Sequence, residues 1–486
     1  MVTTPSGVTH YKRRKYLVIG GLSSGIVYKV HESNLANSGR ALVERVYLVN
    51  GAPPPQPVPG AFSRLRGFGK AVSKRVGIVR RVDSTTFVEE SPAHKKTIYE
   101  NARLDLLQRS VTRKDAHLNS FVKCEKINFT DKEDPAPRII QPRNPRYNLE
   151  VGRWLRRMEH KVYAAIGEIY GRPTVMKGYN CYQVASHIKD GWDTFSDPVA
   201  VGLDASRFDQ HVSKEALEWE HSVYLDCVSK QDRPKLQKLL LWQIYNQGRV
   251  LAKDGRIDYS VVGRRMSGDM NTALGNCLLM CALVHCFMDG RKHALYNNGD
   301  DCVVIMERAQ LRHMAKLKEW FLGMGFTMKV EEPVYQLEHI EFCQTKPVWD
   351  GVRWRMVRNL RTCMAKDAVI PKHIVGDKSI LKHIATLGQC GAALSTGLPV
   401  LQEYYQAMLR VDATPGKRES SGMAFMARGL QPRVGPVTDE ARASFYWAFG
   451  ILPDLQVEME ESLRAWTMDT RSDDVTPNII ASFYEE

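Results

Sequence analysis

The chain has 486 residues, 43% hydrophobic and 25% charged, which is ordinary globular usage and excludes disorder along its whole length. Its net charge of +14 makes a polyanion the leading partner class, nucleic acid ahead of an anionic membrane surface, because such an excess speeds capture of polyanions. Ten cysteines stand singly with no CxxC pair, and no apolar run reaches the ~18 residues of a membrane span, so the sequence reads as a soluble, reduced chain or one held at a membrane by something else.

In chain order, the opening segment carries a basic run, Lys12-Arg13-Arg14-Lys15, and closes on a predicted strand, Arg45–Val49. A stiff proline-rich connector follows, Gly51 to Gly60. Beyond it Arg64, Arg66, Lys70, Lys74, Arg75, Arg80 and Arg81 form either a solvated face or a path for template phosphates. Val199–Leu203 reads as a strand ending at Asp204, and Ser213 as the N-cap of a helix over Lys214–Ser229. Gly268–Phe287 is small and apolar nearly all round, which predicts a buried helix. Its Cys277, Cys281 and His285 recur at helical spacing and read as one packed face rather than a zinc site. His293–Tyr296 and Cys302–Met306 flank Asn297-Asn298-Gly299-Asp300 and predict a hairpin. An amphipathic helix over Gln310–Met324 and a strand over Phe326–Val330 come next. The last stretch reads as mostly helical, with one helix punctuated by Thr438, Asp439, Glu440, Gly450 and Pro453. The alternation implies an α+β fold, a sheet with helices on one face.

Nucleotide polymerisation requires a 3′-hydroxyl to attack an α-phosphorus while pyrophosphate leaves in line, across two divalent ions about 3.5–4 Å apart. Magnesium takes oxygen ligands in an octahedral array, so the protein must offer aspartates on rigid supports. Asp204 at a strand end and Asp300-Asp301 at a hairpin tip are such a set, with Gly299 allowing the tight turn. Gly268, Thr272 and Asn276, spaced along one helical face after Ser267, form a polar stripe able to sense a ribose 2′-hydroxyl.

Asp204–Val212, Ser267–Asn276 and Asn298–Asp301 resemble palm motifs A, B and C of the viral RNA-dependent RNA polymerases, in wording closest to the tombusvirus-like plant group (carmovirus, umbravirus, dianthovirus). Phe121–Lys126 with Pro137–Arg143 is similar to the basic fingers motif F, Gly325–Lys329 to motif D and Glu341–Gln344 to motif E; Val58–Phe62 also looks like this plant group. The resemblance implies Asp204, Asp300 and Asp301 as metal ligands, with the Ala205 carbonyl completing the shell of two Mg²⁺ ions, Mn²⁺ being the alternative. It implies Asp209, Ser267 and Asn276 as the ribose-recognising network, with Thr272 in support, and Lys123, Lys126, Arg138 and Arg143 as neutralisers of the triphosphate. Lys329 would protonate pyrophosphate, against a plain reading as a solvated lysine; Glu125 would hold the basic finger by ion pairing.

The implied architecture is an encircled right hand: residues 1–50 linking fingers to thumb, fingers at 51–197 and 215–258, palm at 198–214 and 259–349, and a mostly helical thumb at 350–486. Implied partners are RNA template and product, NTPs, a viral auxiliary replication protein and host factors. Membrane contact is expected to be indirect, in host cytoplasmic replication complexes reached through a partner or an amino-terminal region lacking here. An RNA-dependent DNA polymerase is disfavoured, since it calls for an aromatic residue at the 2′ position and Tyr-x-Asp-Asp at the turn. A non-enzymatic RNA-binding protein has only the basic charge in its favour.

Overall fold

The computed structural model describes residues 1–8, 16–19, 25–131, 133–371, 377–416 and 422–468; the basic run Lys12–Lys15 lies outside them. The strands, in chain order, are β1 (Val2–Pro5), β2 (Tyr16–Val18), β3 (Tyr28–Lys29), β4 (Leu118–Val122), β5 (Ile127–Asn128), β6 (Ile139–Ile140), β7 (Pro198–Ala205) and β8 (Tyr245–Ala252). They continue with β9 (Gly255–Val262), β10 (His293–Asn298), β11 (Asp301–Glu307), β12 (Met328–Val330), β13 (Thr345–Trp349), β14 (Trp354–Arg358) and β15 (Val369–Pro371). Four helices matter most for the site: α1 (Arg66–Val76), α2 (Pro145–Tyr170), α3 (Lys214–Asp226) and α4 (Thr272–Met288).

The central sheet has the order β10-β11-β7-β12, antiparallel throughout. Its strands are apolar on both sides, and both sides are covered. Val199, Val201 and Leu203 of β7 join Cys302, Val304 and Met306 of β11 in one core with the buried residues of α2, α3 and α4. Ala200, Val303, Ile305, Ala294 and Tyr296 enter a second core with Ala185 and Ile188 of the helix Cys181–Trp192 and with Val348 and Met356. The α+β class holds, but the expectation of helices on one face alone does not. An unbroken apolar run such as Val199–Leu203 is what a strand buried on both faces requires.

A second sheet, β1-β9-β8-β4-β6, joins two segments far apart in sequence: β4 runs parallel to β8, and β6 completes the edge beside β4. Two short ladders tie the amino-terminal segment elsewhere, β2 to β15 and β3 to β5. The Ile19 N–H also donates to the Ala368 carbonyl at 2.9 Å.

Two local expectations are corrected. Arg45–Val49 is no strand: Val43–Tyr47 continues the helix Leu35–Leu42 as a wide turn, so that Ala41, Leu42 and Val46 fill one buried patch against β4, β8 and β9. Gln310–Met324 is broken into Leu311–Met314 and Leu317–Gly323. The basic segment packs as α1, burying Phe68, Val72 and Val76 in the core on the side of β7 away from Asp204, while Arg66, Lys70 and Lys74 face solvent. The charged side chains of this helix thus stand in solvent on the far side of the sheet from the acids. Elsewhere the punctuation holds: Ser213 Oγ accepts from the Ala216 N–H, and Thr438 Oγ1 from the Ala441 N–H, with Gly450 left-handed at the far end of that helix.

Candidate active site

Two ladders assemble the acids. β11 runs antiparallel to β7 with Asp301 opposite Asp204, and β12 flanks the other edge with Lys329 opposite Asp204. Residues directly opposite in a sheet point to the same face, so Asp301, Asp204 and Lys329 form one cross-strand row. Asp300 occupies the hairpin turn with Gly299, whose φ of +83° suits a residue without a Cβ.

The turn is braced from behind. The Asn297 amide donates to the Gly299 carbonyl at 2.6 Å, and Lys177 Nζ donates to Asn298 Oδ1 at 2.6 Å. The Cys343 N–H donates to Asp301 Oδ2 at 2.9 Å, from a turn in which Cys343 and Gln344 both adopt positive φ. Asn297 braces its own turn from two residues away, whereas Lys177 reaches it from far along the chain, and no spacing in the sequence marks that lysine.

Burial raises the Asp300 carboxyl above its ordinary pKa, and the neighbouring Asp204 charge raises it further. Asp301 is pushed up to about 6, first by burial and then by Asp300 and Glu331, against the Cys343 amide. Carboxyls crowded together in this way, with their charged forms disfavoured by burial and by one another, fit a site for hard cations, which would relieve the repulsion. Among the described residues no three acidic, histidine or cysteine side chains converge into a ready-made cage. Aspartate carboxylates are oxygen donors of the kind magnesium takes, with phosphate and water oxygens able to complete its shell. Ala205 is buried at the end of β7 opposite Met328.

Beside the acids, Asn276 Nδ2 donates to Asp209 Oδ1 at 2.8 Å. Here the expected stripe is only partly realised. The helix starts at Thr272, so Gly268 lies in a loop, bridged to Pro142, where a Cβ would come within 2.5 Å of the Pro142 Cα. Ser267 Oγ donates to the Ile139 carbonyl at 3.0 Å, and Thr272 Oγ1 to the Met266 carbonyl at 2.6 Å. Both hydroxyls thus brace the loop, and Asp209 with Asn276 remains as the pair beside the turn.

The four cations separate into two kinds. Lys123 Nζ and Arg138 Nη1 both pair with Glu125, at 2.8 and 3.2 Å, as the ion-pairing reading of Glu125 expects. The Arg138 charge reaches both Asp209 and Asp300. Lys126 instead donates to the Lys366 carbonyl at 2.6 Å, and burial lowers its pKa to about 8. Arg143 is enclosed, its guanidinium spent on Asp269, on Asn246 Oδ1 at 2.7 Å and on the Ala116 carbonyl at 2.8 Å. Arg143 is thereby a clamp between segments, and the expectation that it faces the triphosphate is corrected. Lys329 is exposed beside Asp204.

The family described as viral RNA-dependent RNA polymerase matches residues 1–471. The chain belongs to this family. It is 44% identical over 474 residues to the RNA-directed RNA polymerase of Melon necrotic spot virus, covering 94% of this chain and 60% of that one. With the protein of the same name from Carnation mottle virus identity is 42%, over 94% of this chain and 61% of the relative. With that of Tomato bushy stunt virus it is 44%, over 96% and 58%. This family membership bears out the resemblance drawn from motifs A, B and C. The chain spans about three fifths of the length of these relatives.

Proposed function

We propose that this polymerase-family chain is the catalytic part of an RNA-directed RNA polymerase that copies a positive-strand viral genome, joining NTPs to an RNA 3′ end with release of pyrophosphate. One observation carries the reading: Asp204 is laddered directly opposite Asp301, beside the Asp300 turn. Two divalent ions, magnesium or manganese, would when bound activate the 3′-hydroxyl and stabilise the leaving oxygen.

The chain's own residues account for the rest. Asp204 and Asp300 would hold the ions, and Asp301, oriented by the Cys343 amide, would assist with the Ala205 carbonyl. Asp209 and Asn276 bond the ribose 2′-hydroxyl, with Ser267 and Thr272 fixing the loop around them; a site built for a hydroxyl rejects the analogue that lacks it. Lys123 and Arg138 offer charge to the triphosphate. Lys329, beside Asp204, gives a proton to pyrophosphate.

The right-hand layout accompanies this reading, with fingers at 51–197 and 215–258, palm at 198–214 and 259–349, and thumb at 350–486. Support for the fingers is the sheet shared by β4, β6, β8 and β9. Support for residues 1–50 as a closing strap is β1 on β9 together with β2 on β15. Among the described residues no helix is long and apolar enough to cross a bilayer. Attachment to host cytoplasmic membranes through a viral auxiliary protein, host factors or a further part of the protein completes the proposal.

The test is RNA synthesis on a defined template, with wild type beside Asp300→Asn. Losing one ligand should lower synthesis by roughly 10³-fold or more while template affinity stays unchanged. Undiminished synthesis by the variant would sink the proposal.

A further inference from the structure

Behind Asn276 lies a buried ion pair that the reaction chemistry does not call for. Arg265 and Glu220 are 2% and 0% exposed. Arg265 sends Nη2 and Nη1 to the two oxygens of Glu220, the latter at 3.0 Å. Its Nε donates to Asn276 Oδ1 at 2.8 Å. Glu220 is further held by Asn271 Nδ2 at 2.9 Å and by the Tyr224 hydroxyl at 2.8 Å. The backbone makes room for the pair: a Cβ on Gly275 would stand 2.4 Å from Glu220 Oε1 and 2.5 Å from Arg265 Nη2.

The arrangement decides something that Asn276 cannot decide alone. An asparagine amide has one accepting and one donating end, and the two are nearly the same in shape. Arginine has donors only, so Nε compels the Asn276 oxygen to face it. The amide nitrogen is then left to face Asp209, which accepts from it at 2.8 Å. Flipped, the amide would set two donors against each other on one side and a carbonyl against a carboxylate on the other. Glu220 in turn fixes the guanidinium plane through two bonds, as a carboxylate does in a fork-to-fork pair. The Arg265 N–H also donates to the Asp209 carbonyl at 2.8 Å, so the same residue anchors both members of the pair.

We propose that Arg265, held by Glu220, is a positioning residue for ribose selection: it fixes which way the Asn276 amide faces and so aims the Asp209–Asn276 pair at the sugar. The inference rests on the reading of Asp209 and Asn276 as ribose-sensing. It assigns the discrimination partly to α3, a helix that contributes no group to the cleft through this contact.

The experiment compares the efficiency ratio for ribo- over deoxyribonucleotide incorporation in wild type, Arg265→Lys, the double variant Arg265→Met/Glu220→Gln, and Asn276→Ala. Lysine keeps a charge for Glu220 but has no Nε fork, and the double variant removes both charges together so that neither is stranded. Circular dichroism and template-RNA affinity report that each variant is folded. The ratio should fall by about tenfold in both Arg265 variants, the size expected for one misdirected hydrogen bond, and at least as far in Asn276→Ala. A purely structural pair would lower both efficiencies together and leave the ratio untouched, which overturns the inference. Failure of both Arg265 variants to fold marks the pair as a folding element and overturns it as well. If Asn276→Ala itself keeps the wild-type ratio, it is the ribose-sensing reading that fails.

Discussion

Asp301 is a carboxyl whose folded pKa, about 6, stands above the ordinary aspartate value near 3.9. Between those two values the native chain holds a proton that the unfolded chain has released. Metal-free stability therefore falls as pH rises through that window, and the whole penalty is present at pH 7. Asp301→Asn keeps an oxygen to accept from Cys343 and removes the charge. In chelator, the variant should melt higher than wild type at pH 7, on the order of 1–3 °C, and level with it at pH 4; equal melting at both would refute the account. Arg143 and Arg138 provide a contrast within one short stretch. Arg143→Ala strands Asp269, which is 4% exposed, and should cost about 3–5 kcal/mol in a denaturant titration. Arg138→Ala removes a largely exposed guanidinium and leaves Glu125 paired with Lys123, so its unfolding midpoint should hold, while KM for NTPs rises roughly tenfold with one charged contact gone. The sequence could not separate these two arginines. The partners that enclose Arg143, Asn246 and Asp269, sit far along the chain, whereas the partner of Arg138 is the nearby Glu125.

Elements with strong local punctuation were readable from the chain. The hairpin, the Ser213-capped helix and the Thr438-to-Gly450 helix all lie where turn residues and caps put them. Asp204 and the Asp300-Asp301 turn were legible for the same reason, being the polar ends of apolar runs. What escaped reading was set by contacts between elements. Gly268 was assigned to a helix because small residues suit one, yet it serves the approach of two loops, its neighbour being the Pro142 backbone. Gly268→Ala should therefore be costly, about 1–3 kcal/mol in urea unfolding, since a proline backbone gives way poorly. Retained stability would show that the loop moves freely. Arg45–Val49 was misread because its β-branched and aromatic residues suit a strand, while the burial of Ala41, Leu42 and Val46 as one patch favours continuing the helix.

At the scale of the molecule, the amino-terminal segment is laid along partners remote in sequence: β1 on β9, β3 on β5, β2 on β15. Each ladder is short, and the segment also buries Ile19 in the second core and Tyr28 against Ala365 and Val369. Removing residues 1–31 should leave the central sheet folded and raise the dissociation rate of a bound primer–template several-fold, measured by a trap-challenge processivity assay. Product length unchanged by the truncation would count against the strap.

The row of Asp301, Asp204 and Lys329 across three strands makes chain length count in steps of two near the acids. Were one residue inserted into the Gly325–Thr327 link passed on to β12, the strand would slide by a single position, sending Lys329 inward and Met328 out over the carboxylates. A second inserted residue would restore the side-chain parity. An odd change in length must therefore be absorbed in the link itself if the row is to survive, a constraint that no individual side chain reveals.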